Sequence, residues 1–394
     1  MNISLLATVS LLPFLLNHAS AAEVAPNWAT GEGVSLGGIL FPHLHATGVY
    51  GGSSGDEGAL AVAHHDPASK GFTLNLEGGF SLRAGEHIEG FTTYALRWDD
   101  EERTWEHEFE EWFLKLKDLP GGFDLRGGQY LNRFGLQNTY HNHGWDYVDQ
   151  NLVSGRFLGD DGMATQGGEV TWKLPFESMT FTSLLSVSVG KAVTHDEEEE
   201  EAEEGPGPRF DAEGAGFTDT LVVVNWTNLY RLNDFHSLRA GVSFAHGENA
   251  WGRNSSIYGG HAEYQWRANG LEKGGNYFRW RTELMVRDLQ AVQAESKRNG
   301  SLSEWGLSSS LIYGLPTASV GIFESGLRFD YVQGIDEADL EKRWRLSPAL
   351  TWYPSESRTI SLRLQYNLDH TETEGVSHGV WGQVGINWGG GEVR

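Results

Sequence analysis

The chain has 394 residues, no cysteine and a formal net charge of −25 at pH 7. Without thiols it can build neither a disulfide framework nor a thiolate metal centre, and its acidity argues against nucleic acid or anionic lipid as a partner. Glycine is abundant at 51 residues, but 19 Phe, 15 Trp and 13 Tyr favour a fold rich in tight turns over disorder.

Residues 1–21 read as a secretory signal. An apolar run from Leu5 to Leu16, broken by Pro13, precedes the small-x-small cleavage site Ala19-Ser20-Ala21. No later run reaches the roughly 18–20 apolar residues of a transmembrane helix, so strands are the remaining means of crossing a membrane. A short segment, 22–33, then leads into a single domain over 34–394.

Sixteen strand candidates follow at 34–42, 71–83, 86–98, 105–117, 122–134, 167–174, 178–190, 217–229, 234–246, 256–268, 275–288, 302–314, 317–331, 342–353, 357–370 and 377–388. The period of two is clearest where Ile360, Leu362, Leu364, Tyr366 and Leu368 alternate with Ser361, Arg363, Gln365, Asn367 and Asp369. Successive strand side chains point to opposite faces, so this segment has one apolar and one polar face. Short turns such as Asp118-Leu119-Pro120-Gly121 and Pro354-Ser355-Glu356 alternate with longer connectors, with 269–274 as the exception. The expected fold is all-β: an up-and-down antiparallel transmembrane barrel with short periplasmic turns, long outer loops and both termini periplasmic, in the outer membrane of a Gram-negative bacterium.

The polar faces indicate a water-filled lumen. Arg279, Arg281 and Glu283 share one face, and Arg328, Arg343, Arg345 and Arg363 follow on later strands, giving an expected basic pore wall. The connector 135–166 is the third outer loop by count, and its Trp, Tyr and Phe suit a loop packed inside a barrel. Porins of this strand number commonly fold that loop inward. Arg133, His141, His143, Trp145, Asp146, Asp149, Arg156, Asp160 and Asp161 are therefore the expected constriction, its acids facing the arginines across the pore in a transverse field.

Histidines and carboxylates gather in other outer loops: His43, His45, His64, His65 and Asp66 in the first, and His195, Asp196, Glu197 and Glu198 in the acidic connector 191–216. Such donors suit zinc or another divalent ion held transiently, with no obligatory cofactor. Enzyme chemistry is not expected. His107-Glu108-Phe109-Glu110-Glu111 places Glu111 where a zinc-protease motif needs its second histidine, and no Gly-x-Ser-x-Gly occurs.

The stretch Arg133-Phe134-Gly135, His141-Asn142-His143-Gly144-Trp145-Asp146, Leu152-Val153 and Arg156-Phe157-Leu158-Gly159-Asp160-Asp161-Gly162 resembles zinc-regulated, TonB-dependent-receptor-like outer-membrane proteins. The resemblance implies metal-responsive expression and passage of zinc or a zinc complex. A receptor plug needs well over a hundred residues, and 22–33 gives it no room. The expectation is therefore plugless, porin-like diffusion without TonB coupling. Two alternatives are an anion-preferring porin using the arginine wall and a surface metal-binding or adhesive barrel with a closed lumen. Expected partners are outer-membrane lipid and lipopolysaccharide, the barrel-assembly machinery and, as for porins of this size, two further copies in a homotrimer; nucleic acid is not among them.

Overall fold

The computed structural model describes residues 33–55, 66–67, 70–99, 103–159, 162–175, 178, 180–193, 216–272, 274–292, 299–317, 319–335 and 340–389. The signal 1–21, most of 22–33 and nearly all of the acidic connector 191–216 lie outside these residues.

Sixteen antiparallel strands close into one barrel. They are β1 (Leu40–Ser53), β2 (Lys70–Ala84), β3 (Ile88–Asp99), β4 (Thr104–Leu119), β5 (Phe123–Leu131), β6 (Ala164–Lys173), β7 (Phe181–Ala192), β8 (Phe217–Arg231), β9 (His236–Asn249), β10 (Asn254–Arg267), β11 (Tyr277–Val292), β12 (Asn299–Thr317), β13 (Gly321–Val332), β14 (Arg343–Tyr353), β15 (Ile360–Thr371) and β16 (Gly375–Gly389). Each strand pairs with its sequence neighbours, and β1 closes the ring on β16 with Tyr50 opposite Gly382. Closure leaves no unpaired edge, which is what a strand-built body in lipid requires.

The faces are inverted relative to a water-soluble protein. Leu114, Leu364 and Val384 are 60%, 57% and 50% exposed on the outside, whereas Arg345, Gln365 and Asp369 are fully buried on the inside. Aromatic pairs ring both ends of this apolar belt. Phe123–Trp172, Phe181–Tyr230 and Phe323–Trp352 stand near the short turns; Trp98–Trp105, Tyr94–Phe109 and Trp305–Tyr331 stand near the long loops. Amphipathic rings at both bilayer interfaces are how such barrels fix their depth, so the outer face is a lipid-facing surface. Among the described residues no helix is long and apolar enough to cross a membrane.

The first strand corrects the sequence reading. It runs Leu40–Ser53, not 34–42, so His43 and His45 belong to β1 and not to an outer loop. Its outward positions are Leu44, Ala46, Gly48 and Tyr50 and its inward ones His43, His45, Thr47 and Val49. Two small outward residues blur the apolar alternation, and two inward histidines imitate a polar connector. Strand β6 also begins earlier, at Ala164, which makes the third outer loop residues 132–163.

Candidate functional site: the loop that crosses the lumen

Residues 132–163 leave β5, enter the barrel and return to β6, and their contacts reach strands on every side. The segment holds two short 3-10 turns (Gln137–Thr139 and Asn142–Gly144) and one helix, α1 (Leu152–Leu158). A seven-residue helix with Gly155 inside it has little stability alone, so packing must hold it. Leu152, Val153, Phe157 and Leu158, with Phe134 and Met163, are buried against lumen-facing Leu221, Val223, Ala245, Ile257, Met285 and Val332. This apolar shelf inside an otherwise polar barrel is the seat of the loop. Asn151 caps the helix by accepting from the Ser154 amide at 2.8 Å.

Beyond the shelf the loop is held by charge. Asp149, 3% exposed, accepts from Arg328 Nη2 at 2.8 Å, Arg345 Nη1 at 2.5 Å, Gln365 Nε2 at 2.6 Å and Asn367 Nδ2 at 2.9 Å. Burial alone would push its carboxyl up, but the Arg328 and Arg345 guanidiniums and the amide donors outweigh that and hold it at about 2. Asp146 is gripped by Arg279 and by Arg281, the latter at 2.7 Å. Arg363 donates to the carbonyls of Tyr147 and Trp145, both at 2.9 Å. Glu283 receives the Leu136 amide at 2.5 Å, Arg156 donates to the Glu341 carbonyl at 2.6 Å, and Arg343 pairs with Asp369 at 2.7 Å.

This geometry corrects the expected transverse field. The acids do not face the arginines across open water; they touch them. Arg279, Arg281, Arg328 and Arg345 are spent on the loop's carboxylates and Arg363 on its carbonyls, so the β11–β15 wall acts as a dock for the loop and not as a free basic surface.

The opposite flank reverses the charges. His141, 5% exposed, has Nδ1 at 3.2 Å from Glu110 and Nε2 at 2.9 Å from Glu111, both on β4. Burial lowers the pKa of this imidazole, and Glu110 and then Glu111 more than reverse the effect, leaving it well above the ordinary value. His143 Nδ1 lies 2.8 Å from Glu77 on β2, and its ring stacks on His45 at 3.6 Å between centroids. The loop is thus two-sided: carboxylates toward the arginine wall, imidazoles toward a carboxylate wall.

Of the expected constriction residues, His141, His143, Trp145, Asp146, Asp149 and Arg156 lie in the crossing loop, and Arg133 at its start pairs with Glu169 at 3.2 Å. Asp160 and Asp161 lie outside the described residues. So do His64, His65, His195, Asp196, Glu197 and Glu198 among the expected metal ligands. Asp66 is 2% exposed and accepts the Gln150 amide at 2.7 Å, so it ties the first outer loop to the crossing loop instead of facing the medium. The sequence reading missed Glu77, Glu110 and Glu111. Glu110 is the extra residue of a β-bulge, because Thr93 pairs with Glu111 and Tyr94 with Phe109. A bulge re-aims a side chain without leaving a composition signal.

Gly135 opens the loop with φ +63°, and a Cβ there would lie 2.2 Å from Glu283 Oε1. Gly135→Ala is therefore expected to cost about 1–2 kcal/mol in backbone strain and to push Glu283 off the loop amides. Faster proteolysis of the loop in the folded barrel would show it; an unchanged cleavage rate would contradict it.

Beside the loop, a cavity of about 80 Å³ separates it from β5–β10, with Arg126, Arg133, Tyr140, Arg239 and His261 in its lining. Its arginines are balanced in part: Arg126 meets Glu169 at 2.8 Å and Arg239 lies 3.7 Å from Glu263. A smaller cavity of about 40 Å³ lies on the β11–β13 side, next to Trp145, Asp146 and Arg281.

No protein-family model matches the chain. A stretch of 80 residues is 34% identical to an uncharacterized protein of Aquifex aeolicus (strain VF5), covering 20% of this chain and 16% of that protein. The chain therefore spans about a sixth of the length of the relative it matches. Among solved structures, OprB of Pseudomonas putida is similar with a TM-score of 0.52 at 12% identity, over 89% of this chain and 94% of that one. The outer membrane channel DcaP of Acinetobacter baumannii gives 0.52 at 10%, over 89% and 96%. OmpT, an outer membrane protein of Vibrio cholerae, gives 0.50 at 8%, over 89% and 97%. At these identities the likeness is one of fold: the closed sixteen-strand antiparallel barrel of this chain is of the kind found in those outer-membrane proteins. The zinc-regulated, receptor-like family that residues 133–162 resemble finds no support in these matches.

Proposed function

We propose that the protein is a porin-like channel of the Gram-negative outer membrane, passing small solutes by diffusion past a fixed constriction, with divalent cations or small metal complexes as preferred cargo. The observation that carries this reading is the crossing loop, tied by ion pairs to strands on both sides of the lumen. A strap held at both flanks narrows a barrel without a moving part. Cation preference rests on two further facts: the arginines of β11–β14 are in contact with acids, and the chain carries 54 acidic against 29 basic residues. Fixed negative charge raises the local concentration of cations at a pore.

Purified protein in a planar bilayer under a KCl gradient is expected to conduct without any energy source and to give a reversal potential on the cation-selective side. An anion-selective reversal potential would overturn the cargo and favour the Arg126, Arg133 and Arg239 lining as the selecting surface. A silent bilayer would overturn the channel itself.

A further inference from the structure

The carboxylate flank of the crossing loop carries more than docking requires. Ligating atoms of Glu77, Glu110 and His141 all lie within 4.8 Å of one another. They come from three separate elements: β2, the bulge of β4, and the loop. Two imidazoles would be held by two carboxylates, and here three, Glu77, Glu110 and Glu111, converge on His141 and His143.

The arrangement around the donors fits a metal ion. His141 turns Nδ1 toward Glu110 and presents Nε2 to Glu111. A metal-bound imidazole characteristically gives its second ring N–H to a carboxylate, which fixes its orientation and strengthens it as a ligand. Glu111 stands where that carboxylate belongs. Glu77 is steadied in turn by His143, whose ring is clamped on His45. The bulge is what allows consecutive residues of one strand to serve both roles, Glu110 toward the ion and Glu111 toward the imidazole.

We propose that Glu77, Glu110 and His141 form a three-ligand site for a divalent transition-metal ion inside the lumen, fastening the crossing loop to β2 and β4. One imidazole and two carboxylates suit zinc and its neighbours better than calcium, which prefers six to eight oxygens, or copper(I), which prefers sulfur. Bonds of about 2.0–2.2 Å place tetrahedral ligand atoms about 3.3–3.6 Å apart. Glu110 and His141 Nδ1, at 3.2 Å, already approach that spacing, so an ion needs only a small adjustment of the three groups to tie the loop to the wall. Three protein ligands leave a fourth position open to water or to a passing solute. The ion displaces the proton from His141 Nδ1, which passes to solvent. The site does not depend on which solute the barrel passes.

The test uses the full-length folded protein in detergent, stripped with chelator and titrated with Zn²⁺ by calorimetry and with Co²⁺ by visible absorption. One ion per chain with the intense bands of a four-coordinate cobalt site is expected. His141→Ala and Glu110→Gln should abolish that binding, and Glu111→Gln should weaken it by about 10–100-fold, with each variant's fold verified by its heat-modifiable mobility. Replacing His195 to Glu204 by Gly and Ser should leave it intact. Absence of stoichiometric binding in the wild type would overturn the site, as would binding that survives in His141→Ala and Glu110→Gln but vanishes with the acidic segment. A conducting barrel that binds no zinc would remove this site and leave the channel reading standing.

Discussion

Replacing Asp149 by alanine is expected to release the middle of the crossing loop and raise the single-channel conductance. Asp149 is the shared acceptor of Arg328 and Arg345, both buried. Removing one member of a buried ion pair costs up to about 3–5 kcal/mol, the full amount only where the other charge is left uncompensated. Asp369 and Asp330 remain beside the two guanidiniums, so the barrel wall keeps its own pairs while the loop loses its anchor. Greater conductance with unchanged heat-modifiability of the barrel would bear this out; a conductance equal to wild type would show that Asp149 does not hold the loop.

The same contact predicts an acid transition. Asp149 has its folded-state pKa depressed from 3.8 to about 2. A depressed acid contributes stability that is fully present above its unfolded value and is lost as pH falls through the folded one. Docking should therefore be constant down to about pH 4 and weaken between about 4 and 2. Conductance steps that grow in that window, and stay flat in Asp149→Asn, are the expected signature; flat conductance down to pH 2 in the wild type would contradict it.

The second large effect is expected at Phe134. Its ring is fully buried among Leu152, Phe157 and Met285. The ring reaches so close to Gly259 that a Cβ there would lie 2.7 Å from its Cε1. Truncating a buried phenylalanine to alanine costs about 3–5 kcal/mol through lost transfer energy and the cavity left behind. Because the shelf seats α1, Phe134→Ala should loosen the helix as well as the turn before it. Limited proteolysis of the folded barrel should then cut within 132–163, and a protected loop would count against the shelf as its seat. Filling the same space from the other side, with Gly259→Leu, should act in the same direction.

Much of this molecule can be read from the chain alone, for a physical reason. A strand with lipid on one side and water on the other must alternate, and β15 does so from Ile360 to Thr371 without a break. The crossing loop announced itself by length and by aromatic content unsuited to free solvent. Three features stayed hidden. Ala46 and Gly48 weaken the outward face of β1, so its histidines read as loop residues. The bulge that turns Glu110 inward has no signature in residue type. The state of the arginine wall depends on which acid reaches which guanidinium, and Asp149 meets Arg328 and Arg345 across roughly half the chain. Residue faces are local information, whereas contacts between a folded-in loop and a distant strand are not.

The most direct test of a lumen narrowed by a strapped loop is to remove the strap. Leu131 and Ala164 are register partners on β5 and β6, so residues 132–163 can be replaced by a tight two-strand turn without disturbing the ladder. Single-channel conductance of this shortened barrel should exceed that of the wild type several-fold, with its selectivity moved toward anions as Arg279 and Arg281 lose Asp146 and Arg328 and Arg345 lose Asp149. An unchanged conductance and an unchanged reversal potential in a correctly folded shortened barrel would contradict the account.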